Sequence, residues 1–158
     1  MASVKSGAPV RALYFAYGSN LLSERMRSRV ASAQTVCAAR VDGHRLACGK
    51  LGRDGTGKAT LVKDASARVW GALYSVAVTD WQALDGFEPG YARVTLAVTT
   101  MRRESLLATA YLAPVTADVP VPLASYKQLI VAGAREHGLP AEYIASLLSL
   151  PEQPDTTG

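Results

Sequence analysis

Two groups of residues in this chain have types and spacing suited to chemistry. The first is Tyr17-Gly18-Ser19-Asn20-Leu21, which follows the apolar, β-prone run Leu13-Tyr14-Phe15-Ala16. An apolar strand that breaks at a glycine and continues into Ser and Asn reads as strand, tight turn and helix start. Gly18 suits a turn residue with positive φ, and Ser19 or Asn20 can accept from the first free N–H groups of a helix. Glu24 and Arg25 follow, so a negative charge falls near the positive end of that helix. Such a turn offers backbone N–H groups to an anion or a polarised carbonyl. The second group is Glu88, set between Phe87 and Pro89, beside Gly86 and Gly90 and just before Tyr91. A carboxylate among apolar neighbours has its pKa pushed toward the range of a general acid or base. Local sequence alone also allows an ordinary turn and a surface-loop glutamate at these positions.

Other chemistries fit less well. A serine hydrolase would pair Ser19 with His44 or His137, but Leu21 stands where the second glycine of a nucleophile elbow belongs. Gly52, Gly57 and Lys58 match the spacing of a phosphate-binding loop. Ala59 replaces the Mg²⁺-binding hydroxyl, however, and Ala59-Thr60-Leu61-Val62 reads as a strand instead of the required helix. The two histidines and two cysteines, Cys37 and Cys48, lack metal-ligand spacing. His44 reads as a hairpin residue and His137 as a cation at a helix C-terminus.

The elements that must position these groups follow from pattern. Val10–Ala16 reads as a strand and Leu21 to about Arg29 as a short helix. Thr35–Val41 and His44–Cys48 read as a hairpin turned at Asp42-Gly43. Gly49–Lys58 holds four glycines and reads as a surface loop. Arg68–Val76 is a strand. Thr79-Asp80-Trp81-Gln82 has the form of a capping box, opening a short helix that ends in Asp85–Gly90. Arg93–Thr100 and Leu106–Leu112 alternate as strands around an Arg102-Arg103-Glu104 turn. Ser125–His137 is helical and stops at Gly138, and Pro140 starts a further helix to about Leu150. Early hairpins with segregated helices indicate an α+β fold.

The chain has 158 residues, a net charge of +4 and 49% hydrophobic residues. That suits a single domain over 1–158, with a loose N-terminus over 1–9 and a polar tail over 151–158. Arg25, Arg27 and Arg29 alternate along the first helix and so do not share one face. The basic balance therefore gives little support to a nucleic-acid groove. No apolar run is long enough to cross a bilayer, and Met1–Val10 lacks the apolar core of a signal peptide. With two unpaired cysteines, the expected setting is cytoplasmic.

Two separated motifs then point to one family. Tyr14-Phe15-Ala16-Tyr17-Gly18-Ser19-Asn20-Leu21-Leu22-Ser23-Glu24-Arg25 closely resembles the "YGSN" opening of the γ-glutamylcyclotransferases. Val69-Trp70-Gly71-Ala72-Leu73-Tyr74 and Leu84-Asp85-Gly86-Phe87-Glu88 resemble their central strand and "LDxxE" segment. Ser125-Tyr126-Lys127, Gly133-Ala134-Arg135-Glu136-His137-Gly138-Leu139-Pro140 and Glu142-Tyr143 resemble the tail of the animal-type enzymes. The resemblance runs from Leu13 to about Glu152. It implies a small mixed β-barrel flanked by helices. It also implies cyclisation of a γ-glutamyl group to 5-oxoproline with release of an amine or amino acid, without metal or cofactor. On matching positions, Glu88 is the expected acid/base. Tyr17, Gly18, Ser19, Asn20 and Leu21, joined by Tyr126, are the expected substrate-binding residues. The expected partner is a small γ-glutamyl substrate, with neither nucleic acid nor membrane, and a homodimer is the expected assembly. A non-catalytic binding module of the same fold is the alternative reading. One departure concerns Pro89-Gly90-Tyr91, which follows Glu88 at once, where animal-type enzymes commonly have Gly and a longer insert before the next tyrosine. Glutathione-specific relatives usually carry another residue in place of Asn20.

Overall fold

The structure is a computed structural model, and it describes residues 9–155. The expected looseness of 1–8 and the polar residues 156–158 lie outside the described residues. In chain order the described elements are β1 (Arg11–Ala16), α1 (Ser23–Arg29), β2 (Gln34–Leu51), β3 (Gly57–Ala77), α2 (Trp81–Gly86), β4 (Ala92–Thr100), β5 (Ser105–Leu112), α3 (Ala124–Glu136) and α4 (Ala141–Leu148). Short 3₁₀ turns at Ser19–Leu21 and Val78–Asp80 precede α1 and α2.

The strands close into a barrel in the order β1-β3-β2-β4-β5. Every pairing is antiparallel except the seam, where β1 meets β5 in parallel at Tyr14 and Thr109. Closure removes free sheet edges. The barrel is thus mixed and flanked by helices, as the resemblance implies. Its interior holds Phe15, Val69, Leu73, Val98 and Ala110, all fully buried. No helix among the described residues is long and apolar enough to cross a membrane.

Three local expectations are corrected. Asp42-Gly43 does not turn a hairpin, because β2 runs through it as one strand. Gly43 has φ +75 and sits at a register shift between Asp42 and His44. A bulge glycine and a hairpin glycine meet the same left-handed requirement, so the dipeptide signal serves both. The actual turn lies in the following glycine-rich segment. Lys50 pairs Lys58 and Leu51 pairs Gly57, so strand pairing reaches well into the expected Gly49–Lys58 loop. The capping box at Thr79–Gln82 does not form: α2 has no side-chain cap, and Asp80 instead accepts from Ser32 Oγ at 2.5 Å. The 3₁₀ turn before α2 already engages the Trp81 N–H with the Val78 carbonyl.

Candidate active site

The Tyr17–Leu21 turn leaves the end of β1 and is pressed against α3. A Cβ built on Gly133 would stand 2.6 Å from Leu22 N and 2.7 Å from Leu21 C. Glycine at that position is what lets the helix backbone touch the turn. Leu21 fixes the turn from inside. Its side chain is fully buried, its N–H donates to the Gly18 carbonyl at 3.0 Å, and its carbonyl accepts from Tyr74 Oη at 2.9 Å. His137 Nε2 lies 2.8 Å from the same carbonyl. Leu21 therefore anchors the turn and lines no part of the cavity beside it, and its N–H is not free for a ligand. The backbone N–H groups of Gly18, Ser19 and Asn20 have no protein partner among the described residues.

Two further expectations at this turn are corrected. Gly18 has φ −107 and ψ −136, not a positive φ. A Cβ there would lie 3.4 Å from Ala59 Cβ and 3.6 Å from Tyr126 Oη, ordinary contact distances, so space alone does not demand glycine at this position. Neither Ser19 nor Asn20 caps α1, whose N-terminus has no side-chain cap. Ser19 Oγ accepts from Arg25 Nε at 3.0 Å. Asn20 is 2% exposed and turns to the acid.

Glu88 is set by the end of α2. Its N–H donates to the Asp85 carbonyl at 3.0 Å, and its carbonyl accepts from the Tyr91 N–H at 3.2 Å. The tight return is completed by Gly90, with φ +84. Glu88 Oε1 accepts from Asn20 Nδ2 at 3.0 Å and stands 3.7 Å from Arg29 Nη1, and the side chains of Glu88 and Arg29 are each 16% exposed. The Asn20 amide is fully committed: Nδ2 also donates to Tyr14 Oη at 3.0 Å, and Oδ1 accepts from Arg29 Nη1 at 3.1 Å. Burial pushes the Glu88 carboxyl above its ordinary range, against the pull of Arg29, the Asn20 hydrogen bond, Arg25 and Lys50.

The cavity between turn and acid is lined by Tyr17, Gly18, Ser19, Asn20, Ala59, Glu88 and four further tyrosines, Tyr14, Tyr91, Tyr111 and Tyr126. Burial holds all five phenols above their ordinary range, so they stay protonated. Their protons differ in availability. Tyr17 donates to the Tyr111 carbonyl, Tyr91 to the Ala59 carbonyl at 2.6 Å, and Tyr111 to Asp85 Oδ1 at 2.5 Å. Tyr126 accepts from the Ala59 N–H at 2.9 Å and Tyr14 accepts from Asn20, which leaves both hydroxyl protons for a ligand. A buried carboxyl, a turn with unpaired backbone N–H groups and two free hydroxyl donors line one small space. That arrangement suits acyl transfer through a tetrahedral oxyanion.

The comparisons with known proteins bear on which acyl transfer this is. Residues 68–147 match the model of the AIG2-like family. The human γ-glutamylcyclotransferase is 35% identical over 155 residues, covering 92% of this chain and 81% of the human protein. The mouse γ-glutamylcyclotransferase is 34% identical, covering 87% of this chain and 78% of its own length. This chain belongs to the γ-glutamylcyclotransferase family. A solved γ-glutamyl cyclotransferase structure agrees, with a TM-score of 0.85 at 33% identity, over 94% of this chain and 92% of that one.

As a family member the chain brings Tyr17, Gly18, Ser19, Asn20, Glu88 and Tyr126 to one cavity and leaves Leu21 behind it. The structure adds Tyr14, Arg29 and Tyr91. Arg25 and Arg29 are four residues apart and line one cleft toward the site, so the expectation that the three arginines share no face holds only for Arg27. That spacing was the available signal for Arg29. The short Pro89-Gly90-Tyr91 segment is closed by Lys50, whose Nζ donates to the Pro89 carbonyl at 2.7 Å and lies 5.1 Å over the Tyr91 ring. Among the described residues no group of three or more His, Cys, Asp or Glu is placed to hold a metal ion.

Proposed function

We propose that this enzyme cyclises a γ-glutamyl amide or γ-glutamyl amino acid to 5-oxoproline and releases the amine. The observation that carries the reading is a single one. A buried carboxylate, Glu88, is fixed by Asn20 at 3.0 Å inside the cavity that Gly18, Ser19 and Asn20 also line. The substrate supplies both reacting groups. Its α-amine attacks its own γ-carbonyl, a ring C–N bond forms, and the scissile C–N bond breaks. Holding the bent conformer is worth about 7–11 kcal/mol in well-oriented intramolecular reactions.

A free α-amine titrates near about 8, so the nucleophile must give up a proton. Glu88 takes it, and its raised pKa makes it a stronger base than an exposed glutamate. Once the ring C–N bond has formed, its nitrogen sheds a second proton. Glu88 relays both protons in turn to the leaving nitrogen, which departs as an ammonium, so Glu88 ends as it began. The Ser19 and Asn20 N–H groups and the Tyr126 hydroxyl are the donors for the oxyanion or the α-carboxylate. The free Cys37 and Cys48 thiols support a reducing, cytoplasmic setting, with γ-glutamyl peptides of the glutathione type as the metabolic context. The test is incubation with γ-glutamyl dipeptides. Equal molar yields of 5-oxoproline and free amino acid support the reading, and hydrolysis to free glutamate overturns it.

A further inference from the structure

Outside the inner cavity lies a wider cleft of about 370 Å³. It shares Ser19, Glu88, Tyr91 and Tyr126 with the inner cavity. Glu88 thus stands at the junction of the two spaces. On the cyclotransferase reading, on which this inference rests, the proton moves at the scissile nitrogen. The γ-glutamyl half then fills the inner cavity and the leaving half lies in the cleft.

The cleft is strongly basic. Its walls carry Arg25, Arg29, Lys50, Arg53 and Lys58 against Asp54 and Glu88. Arg29 faces Glu88 at 3.7 Å, and Lys58 Nζ meets Asp54 Oδ2 at 3.0 Å. Hydrogen bonds from the Thr56 hydroxyl and backbone, with Lys58, hold Asp54 down at about 2, so it stays anionic. That leaves Arg25, Lys50 and Arg53 with no carboxylate partner among the described residues. Arg25 and Lys50 are engaged only by neutral groups, the Ser19 hydroxyl and the Pro89 carbonyl. Arg53 stands exposed on the β2–β3 turn, and no hydrogen bond or ion pair holds its side chain among the described residues.

We infer that this cleft is a subsite for an anionic leaving group, and that the enzyme prefers γ-glutamyl derivatives of dicarboxylic amino acids. A leaving half with two carboxylates offers one more anion to the three unpaired cations than a neutral amino acid does. A leaving alkylamine offers none. Cationic leaving halves, such as a lysine side chain, meet like charge and are disfavoured.

The experiment measures kcat/KM for γ-glutamyl-ethylamide, γ-glutamyl-alanine and γ-glutamyl-aspartate, which carry no, one and two carboxylates in the leaving half. The expected order rises with charge, by about fivefold to tenfold overall, the scale of one or two partly exposed ion pairs. The spread should narrow at high salt. In Arg53→Glu, a substitution on an exposed turn, the advantage of the aspartate compound should fall by about fivefold. Equal kcat/KM for three turned-over substrates, or a spread that salt and Arg53→Glu leave unchanged, overturns the subsite and spares the cyclotransferase reading. Absence of 5-oxoproline from all three overturns both.

Discussion

Replacing Arg29 by Gln should shift the pH dependence of turnover and lower stability most at high pH. Arg29 Nη1 stands 3.7 Å from Glu88 Oε1, with both side chains 16% exposed. At an effective dielectric of about 20, that pair carries at most about 4.5 kcal/mol of attraction. Desolvation of both ions offsets much of this. The guanidinium also donates to Asn20 at 3.1 Å and lies 4.9 Å over the Phe87 ring. A net loss of about 1–3 kcal/mol is expected where Glu88 is ionised. The sign follows from the acid. Burial already raises Glu88 in the fold, and Arg29 is the strongest opposing influence, so the variant raises it further. A carboxyl with a folded pKa above its unfolded value loses stability as pH rises between the two. The variant widens that window upward from the ordinary glutamate range near about 4.3. Urea unfolding below and above the window should show a larger deficit on the high side. The acidic limb of kcat/KM should move to higher pH, because fewer molecules carry the free base. An acidic limb unmoved in a folded Arg29→Gln protein would refute this electrostatic account of Glu88.

Three other outcomes follow from the same geometry. Gly133→Val places carbon within 3 Å of the Leu21–Leu22 backbone, which cannot yield as a side chain would. Thermal or urea unfolding should show a loss of about 3 kcal/mol or more, at the upper end of overpacking costs. Ser19→Ala removes only the acceptor for Arg25 at 3.0 Å, so turnover should fall less than about tenfold, the scale of one hydrogen bond. Mass spectrometry should find no covalent adduct on Ser19, and trapping one would favour a hydrolase instead. N-acetylated γ-glutamyl dipeptides lack the nucleophile, and α-linked glutamyl dipeptides misplace the acyl carbon, so chromatography should show neither yielding 5-oxoproline. Turnover of either would contradict the intramolecular attack.

Much of the fold was legible because β1, the β3 core run, β4 and β5 carry buried apolar residues in strand patterns, and Gly138, at φ +64, ends α3 as a left-handed cap does. What misled was local turn chemistry. Gly43 answers to a bulge and Gly55, at φ +80, to the real turn, and nothing within either short segment tells one from the other. The candidate site was legible as two motifs, 68 residues apart from Asn20 to Glu88, which the barrel brings to 3.0 Å. The assignment of functions within the turn was not legible. Asn20 and Ser19 resemble caps locally, but the buried Tyr14, Glu88 and Arg29 offer Asn20 stronger partners than helix N–H groups do. Gly18 sits beside Ala59 and Tyr126, a tertiary proximity with no trace in the neighbouring sequence.

The central claim is that Glu88 carries the proton in a ring closure. The most direct measurement is 5-oxoproline release from a γ-glutamyl dipeptide by the unaltered enzyme and by Glu88→Gln. The amide can still accept from Asn20 at the same place, so the fold and most substrate binding should persist. Turnover should fall at least about a hundredfold, with KM little changed, as the loss of a general acid–base group requires. Near-normal turnover by a folded Glu88→Gln protein would contradict the account.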